Sequence, residues 1–475
     1  MRVTDDGPRT FHIRTFGCQM NEHDSERLAG ALVADGLVAT DDIEAADVVV
    51  LNTCCIRENA DNKLYGHLGT LKQLRAERPG MQIAVGGCLA QMDGEAIRRR
   101  AGHVDVVFGT HNLTSAPALL RRAAVSGPVV EVLDGPPADA GDPSWGGEQQ
   151  EAALAAVRDL PYAAWVTIQT GCDNSCAYCI VPAVRGPEVS RPLDDLVAEV
   201  RTLAGRGVTE VTLLGQNVNS YGRDITRRGP LFAELLAAVG AVEGIRRVRF
   251  TSPHPKDLRA EVVEAMAATE AVCNHLHLPL QSGSDRVLSA MRRGYTAERY
   301  LERLAAARAA VPDLAVTTDL IVGFPGETDE DAERTLEVVA AAEYDSAYTF
   351  VFSPRPGTRA AAMDDRFVDP AVVTERMERL RAVVERSALR RHEARIGRVE
   401  EVVVEGPSKR DPSQLTGRTG QNKLVHFARP AEGAPAEGSY ADVRVTGAAR
   451  HHLTGELVGV TARPRHRVRI PVSAG

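Results

Sequence analysis

The sequence predicts a multidomain α/β protein: an N-terminal domain with a parallel sheet, a central partial (βα)6 barrel of the TIM type, and a small C-terminal antiparallel β-barrel. Three observations lead to this prediction. Strand-like and helix-like segments alternate early in the chain, a strand-then-helix pattern recurs about every 40 residues through the middle, and short strand-like runs separated by Gly and Pro follow. The predicted domains are residues 9–125, 159–392 and 393–464, with a linker at 126–158.

Composition and cysteine content are those of an ordinary cytoplasmic protein. The chain has 475 residues, of which 44% are apolar and 25% charged. It contains no run of about 18 or more apolar residues that could span a membrane, and its first residues lack the apolar core of a secretory signal. Eight cysteines without an export signal indicate reduced thiols and metal ligation rather than disulfides.

The N-terminal domain has a β-α-β-α-β order. The predicted strands are Phe11–Phe16, Asp47–Leu51 and Met81–Val85. Helices are predicted over Asp24–Asp35, with Asp24 or Ser25 as N-cap, and over Asn62–Arg78. This order implies a parallel sheet, in which ligands gather at the carboxyl ends of the strands.

A cysteine follows each of these three strands. Cys18 lies in FGCQMN, Cys54 in LNTCCIRE and Cys88 in VGGCLAQ. The three thiols should converge at one edge of the sheet, where they could hold an iron–sulfur cluster with an open iron, in addition to the one described below. The alternative is three unrelated buried cysteines, a common environment for this residue. Cys273 has no such partners and is expected in the core.

The central domain carries six predicted strands, each followed by a polar or glycine-containing loop. The strands are Trp165–Gln169, Glu210–Leu214, Val248–Thr251, His275–Leu280, Val316–Val322 and Tyr348–Phe352. The loops are GCDNSCAYC, GQNVNSYG, SPHP, QSGSD, GFPGET and SPRPGT. In a parallel β/α barrel all six loops lie at the C-terminal face, where active sites are found.

The loop after the first of these strands contains three cysteines in C-x3-C-x2-C spacing, namely Cys172, Cys176 and Cys179. Three thiolates in so short a loop suit a soft metal centre, for which a cysteine-ligated iron–sulfur cluster is the leading candidate. With three protein ligands, a four-iron cluster keeps one iron open to another molecule. A structural zinc site with a distant fourth ligand is the alternative, and no Cys or His follows at a suitable spacing.

The C-terminal end is basic although the net charge of the chain is −8. Residues 390–475 hold 15 Lys and Arg against 9 Asp and Glu, a pattern that fits binding to a polyanion. Only Phe427 and Tyr440 are aromatic in this domain, so base stacking is poorly supported. Phosphate contacts through Arg418, Lys423 and Arg444 are predicted instead. A solvated surface with incidental arginines is the alternative.

Together these stretches resemble the methylthiotransferase family of radical S-adenosylmethionine (SAM) enzymes over almost the whole chain. The resemblance is carried by FGCQMNEHDSER, LNTCCIRENA, VGGCLAQ, GCDNSCAYCIVPAVRG, EVSRP, LLGQNVNSYG, LPLQSGSDRVL and IVGFPGET. Within that family the chain is most similar to the bacterial enzymes that act on a prenylated adenosine of tRNA. Its C-terminal segment resembles the TRAM RNA-binding barrel.

The resemblance implies two [4Fe–4S] clusters and SAM. It assigns Cys172, Cys176 and Cys179 to the SAM-cleaving cluster, and Cys18, Cys54 and Cys88 to an auxiliary cluster. The family pattern matches Cys54, whereas Cys55 occupies a position where a small residue is usual. The residues implied to hold SAM are Gln216, Asn217, Gln281, Ser282 and Glu327.

The implied reaction is methylthiolation at C2 of N6-isopentenyladenosine at position 37 of tRNA, on the 3′ side of the anticodon. One SAM methylates a sulfur carried on the auxiliary cluster, and another yields the 5′-deoxyadenosyl radical that activates the carbon. An electron donor such as flavodoxin or ferredoxin would be needed. The enzyme is expected to act as a monomer in the cytoplasm, without a membrane partner.

Two other functions stay open at this point. A related enzyme branch methylthiolates an aspartate of a ribosomal protein, although NTCCIRE and QNVNSY argue against it. A non-catalytic iron–sulfur regulator that binds RNA would belong to another class. The SAM-site loops and the two sets of three cysteines disfavour that function.

Overall fold

The computed structural model describes residues 8–55, 58–133, 156–158, 160–226 and 229–465. The chain divides into two compact units. The first comprises residues 1–159, 169–174 and 179–195, and the second comprises residues 160–168, 175–178 and 196–475. None of the helices in the described ranges combines the length and the apolar character needed to cross a membrane.

The first unit is built on a six-stranded sheet in which every pair of neighbours is parallel. Its strands are β1 (Thr10–Phe16), β2 (Val38–Ala39), β3 (Val48–Thr53), β4 (Gln82–Gly87), β5 (Val106–Phe108) and β6 (Val129–Glu131), in the order β2-β1-β3-β4-β5-β6. Every residue of β3 and β4 is buried, and apolar clusters cover both faces of the sheet. Burial on both faces explains the continuous apolar run ADVVVL.

Helices connect these strands as the alternating pattern predicts. They are α1 (Gln19–Ala34), α2 (Glu58–Glu77), α3 (Cys88–Arg100) and α4 (Ala116–Ser126). The predicted start of α1 is wrong: Cys18, not Asp24 or Ser25, is its N-cap. The Asn21 side chain accepts from the Cys18 backbone N–H at 3.4 Å, so the helix begins earlier. Asp24 consequently lies inside the helix and is buried.

The sheet of the first unit extends further along the chain than its predicted boundary. Ser126 ends α4, and β6 pairs with β5 at Val129–Glu131, so the start of the predicted linker belongs to the sheet. A three-residue strand is too short for its apolar periodicity to be recognised in the sequence. Residues 134–155 of the predicted linker lie outside the described residues. Two further short strands, Gln169–Thr170 and Val189–Ser190, pair antiparallel in this unit.

The second unit contains the six predicted parallel strands of the partial barrel, which confirms the predicted fold class. They are β7 (Ala163–Thr167), β8 (Glu210–Leu214), β9 (Arg247–Phe250), β10 (His275–His277), β11 (Ala315–Val322) and β12 (Ser346–Val351). Neighbours pair in chain order in two three-stranded sheets, and a bridge between Val248 and Val272 links β9 to the segment before β10. The loops after these strands therefore share one end of the unit.

Helices follow the strands of the partial barrel in the sequence. Along the chain they are α5 (Val181–Arg185), α6 (Leu193–Gly205), α7 (Arg223–Thr226), α8 (Phe232–Gly240), α9 (Ala260–Ala268), α10 (Asp285–Ala290), α11 (Ala297–Ala310), α12 (Asp329–Ala342) and α13 (Pro370–Glu393). The first of these and the start of α6 belong to the first unit. Thr328 caps α12 with a capping box that includes Asp331.

The C-terminal segment closes into the predicted small barrel. Its strands are β13 (Val399–Pro407), β14 (Gln414–Thr419), β15 (Leu424–Ala428), β16 (Tyr440–Ala448) and β17 (Leu453–Ala462), in the order β13-β14-β15-β17-β16. One pair is parallel, β15 with β17, and the others are antiparallel. An apolar cluster that includes Val404, Phe427 and Val443 fills the interior.

This barrel docks on the amino ends of the strands of the partial barrel, away from the loops. Arg249 donates to the Thr419 and Gly420 carbonyls at 2.8 and 2.9 Å. The Tyr440 hydroxyl bonds Thr209 Oγ1 at 3.1 Å, and Lys423 Nζ lies 2.5 Å from Asp345 Oδ1. The phosphate contact predicted for Lys423 is therefore wrong, because its side chain is only 4% exposed and already paired.

Candidate functional site

The carboxyl ends of β1, β3 and β4 bring cysteines together in the first unit. These strands are neighbours in the sheet, and Cys18, Cys54 and Cys88 follow their last residues closely. The Asn21 side chain links two of them: its Oδ1 lies 3.4 Å from Cys18 Sγ, and its Nδ2 lies 4.0 Å from Cys88 Sγ. The thiols of Cys18 and Cys88 therefore lie around one amide.

A buried ion pair lies beside these thiols. Arg185 Nη2 donates to Asp24 Oδ2 at 2.7 Å and to Cys88 Sγ at 3.5 Å, and both charged side chains are less than a tenth exposed. Burial raises the pKa of the Cys18 thiol, although the charge of Arg185 opposes this effect. A fixed cation at this edge favours thiolates over thiols.

The cysteine next to Cys54 is also part of this site. The Cys55 thiol is fully buried and hydrogen-bonded to Cys88. That bond lowers the pKa of Cys88 against the opposing effect of burial, and the charge of Arg185 lowers it further. Cys54 is buried as well. The structure therefore places both neighbours at the strand end, and the choice of Cys54 as ligand stays a prediction.

The donor set consists of thiols, the ligands that iron–sulfur clusters use. In the described part of the chain, no three His, Cys, Asp or Glu side chains converge closely enough to hold one ion. Gly87 allows the ends of β3 and β4 to lie close together. Its φ is +96°, and an added Cβ would lie 2.5 Å from the Thr53 carbonyl oxygen.

The C-x3-C-x2-C loop begins in the first unit. Gly171 has a φ of +79°, and an added Cβ would lie 1.8 Å from the Pro187 carbonyl oxygen, so only glycine fits. The next backbone N–H, that of Cys172, donates to the Gly186 carbonyl at 3.1 Å. Cys172 and Cys179 are both partly exposed and therefore accessible to a cofactor.

The middle of the loop belongs to the second unit. The Ala177 N–H donates to the Met291 carbonyl at 2.9 Å, and the Ala177 carbonyl accepts from the Ala360 N–H at 2.8 Å. These bonds fix the backbone next to Cys176, which is partly exposed like the other two cysteines. Arg293 Nη1 donates to Cys176 Sγ at 3.4 Å. The structure thus anchors this cysteine by its backbone and by its sulfur.

Two of the residues predicted to hold SAM follow β8. Both amide atoms of Gln216 are buried and make no hydrogen bond with any described residue. An unpaired buried amide costs roughly 1–3 kcal/mol per group, so a polar ligand would satisfy it. Asn217 donates from Nδ2 to Asp257 Oδ2 at 2.9 Å, which ties it to the neighbouring loop.

The two residues that follow β10 are also buried. Gln281 has a φ of +70°, a left-handed conformation that is rare outside glycine and often marks functional sites. Its backbone bridges to β11 by bonds of 2.8 and 2.9 Å, and its side chain makes no hydrogen bond with the described residues. Ser282 Oγ is engaged by Thr335 and by the Ser284 N–H.

Glu327, the fifth residue predicted to hold SAM, is hydrogen-bonded to its own loop and to an arginine of α13. Its carboxylate accepts from the Gly323 N–H at 3.2 Å and from Arg376 Nη1 at 2.8 Å. Burial raises the pKa of Glu327, although both of these partners oppose the shift. The carboxylate therefore ties the GFPGET loop to α13, and the role of Glu327 in holding SAM stays a prediction.

Some residues at these sites carried no signal in the sequence analysis. Arg185 lies in the IVPAVRG stretch of the resemblance but received no role there. The sequence predicts Asp24 only as a helix N-cap, and Arg293 in MRRGYT lies outside the stretches that carry the resemblance. His254 in SPHP is buried, and its Nε2 makes no hydrogen bond in the described chain. Cys273 is buried in the core as predicted.

Models of three known families match the chain. The model of the radical SAM superfamily matches residues 166–339, and that of the TRAM domain matches residues 393–458. The model described as "Uncharacterized protein family UPF0004" matches residues 10–109. The matched segments correspond to the partial barrel, the C-terminal barrel and the parallel sheet of the first unit.

Curated relatives are similar over nearly the full length. A protein of Mycobacteroides abscessus is 49% identical over 98% of this chain and 92% of its own length. A protein of Acidothermus cellulolyticus is 51% identical over 97% of this chain and 90% of its own. Both are named tRNA-2-methylthio-N(6)-dimethylallyladenosine synthase.

Similarity to solved structures concerns the fold alone. The radical SAM methyltransferase TsrM of Kitasatospora setae, with cobalamin and a [4Fe-4S] cluster bound, has a TM-score of 0.53 at 15% identity. The match covers 74% of this chain and 77% of that one. At this identity it supports the architecture and carries no argument about substrate.

Proposed function

Because this chain belongs to the radical SAM family of tRNA-2-methylthio-N(6)-dimethylallyladenosine synthases, we propose that it methylthiolates C2 of N6-isopentenyladenosine at position 37 of tRNA. The proposal includes SAM as co-substrate and two [4Fe–4S] clusters, one on Cys172, Cys176 and Cys179 and an auxiliary one on Cys18, Cys54 and Cys88. The protein is a transferase in this account, and it works in the cytoplasm as a monomer.

One observation supports this proposal above the others. A second set of thiols, at the ends of three adjacent parallel strands, accompanies the C-x3-C-x2-C loop. A reaction that only cleaves SAM needs one cluster. A reaction that also adds sulfur to a carbon needs a place to hold that sulfur, and the strand-end thiols offer one beside the Arg185–Asp24 pair.

Bound cofactors would supply chemistry that side chains lack: the first cluster an electron that cleaves SAM, the second a sulfur atom. General acid–base catalysis does not open an aromatic C–H bond, because the carbon has no useful acidity. The protein positions the groups. Gln216 offers a buried amide to a polar ligand, and Glu327 and Arg376 fix the GFPGET loop.

The exposed cations of the C-terminal barrel support the proposal that the substrate is a tRNA. Arg444 is exposed and makes no ion pair with the described residues, whereas Arg418 is paired with Glu405 at 2.6 Å. A nucleotide in a single-stranded loop can be splayed into a pocket at modest cost. The prenyl group adds apolar area worth about 0.8 kcal/mol per buried CH₂, so unprenylated tRNA should react poorly.

Nucleoside mass spectrometry tests the proposal. Cells lacking the protein should accumulate isopentenyladenosine in tRNA and lose its 2-methylthio derivative. Wild-type protein should restore the derivative, and Cys176→Ala and Cys88→Ala should not. Cys273→Ala is the matched control, because this cysteine is buried in the core outside both sets.

Two outcomes of that experiment would contradict the proposal. Unchanged tRNA together with loss of a methylthio group from a ribosomal-protein aspartate would favour the protein-modifying branch. Full restoration by the Cys176→Ala variant would remove the role of the thiol loop. An external electron donor such as flavodoxin or ferredoxin is part of the proposal, and purified protein should require one, or a chemical reductant, for turnover.

A further inference from the structure

Arg293 is a buried cation without a buried anion to match it. The exposed fraction of Arg293 is only 6%. Among the residues that the structure describes, its side chain bonds the Tyr295 hydroxyl at 3.1 Å, the Pro279 carbonyl at 3.5 Å and Cys176 Sγ at 3.4 Å, with no carboxylate partner. Burying an uncompensated charge is costly, so this position calls for a negative group.

Three other buried arginines of the chain are each paired with a carboxylate. Arg185 is paired with Asp24, Arg249 with Glu210 and Arg376 with Glu327, at 2.7, 3.0 and 2.8 Å. Each of these pairs satisfies its charge within the fold. Arg293 differs because the group that it meets in place of a carboxylate is the sulfur of a cysteine in the C-x3-C-x2-C loop.

The guanidinium of Arg293 is also held in a fixed direction. Its ring neighbour Tyr295 lies under it, with the guanidinium carbon 5.5 Å from the ring centroid. The Tyr295 hydroxyl lies within hydrogen-bond distance of two backbone carbonyl oxygens, those of Pro279 at 3.1 Å and Leu280 at 2.9 Å. Arginine keeps its charge even when buried. The result is a permanent, oriented positive charge aimed at Cys176.

We propose that Arg293 is a positioning residue that compensates the negative charge of the thiolate-bound cluster on Cys176 and thereby favours its reduced state. The inference rests on the proposed function, because it assumes a cluster on the three loop cysteines. Reduction adds one negative charge to the cluster, and a nearby cation in a poorly solvated site stabilises that charge. Hydrogen bonds to the sulfurs act in the same direction.

The test is an anaerobic redox titration of the reconstituted full-length protein, followed by electron paramagnetic resonance. To isolate the loop cluster, the titration uses protein in which the strand-end cysteines Cys18, Cys54 and Cys88 are replaced by alanine, and the signal to follow is the one whose shape changes when SAM is added. Arg293→Gln removes the charge, Arg293→Lys keeps it, and Arg292→Gln is the matched control because Arg292 is exposed and makes no side-chain bond in the described chain. Iron content is measured for each variant.

Arg293→Gln should keep the iron content of the wild type and lower the ratio of reduced to oxidised cluster at a fixed potential about tenfold, which is 59 mV for one electron. Arg293→Lys should recover most of this loss, and Arg292→Gln should match the wild type.

Three results would overturn the inference. An unchanged ratio in Arg293→Gln would show that the charge does not act on the cluster. Equal losses in Arg293→Gln and Arg293→Lys would assign the effect to the shape of the side chain rather than to its charge. A wild-type protein without any SAM-responsive signal would overturn the proposed function itself, which distinguishes that failure from the first two.

Discussion

Replacing Lys423 with Met should destabilise the second unit strongly, although the residue lies in the domain predicted to bind RNA. Met keeps much of the length and volume of the side chain but removes the ammonium. Asp345 then keeps a buried charge whose hydrogen-bond donor is the Val316 N–H at 2.8 Å, with Arg308 as a weaker electrostatic neighbour. The side chains of Lys423 and Asp345 are 4% and 9% exposed, so solvent screens the pair weakly.

The expected magnitude follows from this burial. Removing one partner of a buried ion pair costs about 3–5 kcal/mol, because the other charge stays buried without compensation. Replacing both partners restores part of the loss, so Lys423→Met with Asp345→Asn should be more stable than Lys423→Met alone. Arg444→Met is the matched control: Arg444 is exposed on the same barrel, and surface substitutions usually change stability by less than about 0.5 kcal/mol.

Fluorescence during urea unfolding measures this effect. Trp165 lies in β7, so it reports on the second unit once the other tryptophan is removed by Trp145→Phe. Lys423→Met should lower the midpoint clearly at an unchanged slope. If Lys423→Met unfolds at the same urea concentration as Arg444→Met, the ion pair does not hold the barrel on the partial barrel. Equal tRNA affinity of Lys423→Met and wild type under native conditions would agree with a structural role.

Three other predictions concern the thiols and a buried histidine. Reconstituted wild-type protein should bind about eight irons per chain, and replacing the three cysteines of either set by alanine should leave about four; an unchanged iron content after loss of the strand-end set would contradict the auxiliary cluster. Cys54→Ser should abolish methylthiolation while Cys55→Ser retains it, and the reverse result in the nucleoside assay would reassign the ligand to Cys55. Burial lowers the pKa of His254 to about 2, so the native state keeps this imidazole neutral while the unfolded chain protonates it below pH of about 6.5. Stability should therefore fall as pH drops below that value, by up to about 1.4 kcal/mol per pH unit for this group, and His254→Gln should make the dependence shallower; an identical pH profile for wild type and variant in urea titrations would contradict it.

The order of the domains, the strands and the positions of the cysteines relative to them could all be predicted from the sequence. Alternating apolar periods place Glu210–Leu214 correctly, and the parallel order implies that Cys18, Cys54 and Cys88 follow neighbouring strand ends. These features are local in the chain or follow from handedness and adjacency rules, so one sequence is enough to predict them.

The pairing of distant side chains, in contrast, could not be predicted from the sequence. Arg185 reaches Asp24 across 161 residues, and Lys423 reaches Asp345 across 78. No spacing rule links such positions, because a charged residue on an exposed surface and one in a buried pair have the same letter in the sequence. The packing of the fold removes water from some of these charges and not from others. That desolvation makes Lys423 structural and leaves Arg293 facing the sulfur of Cys176.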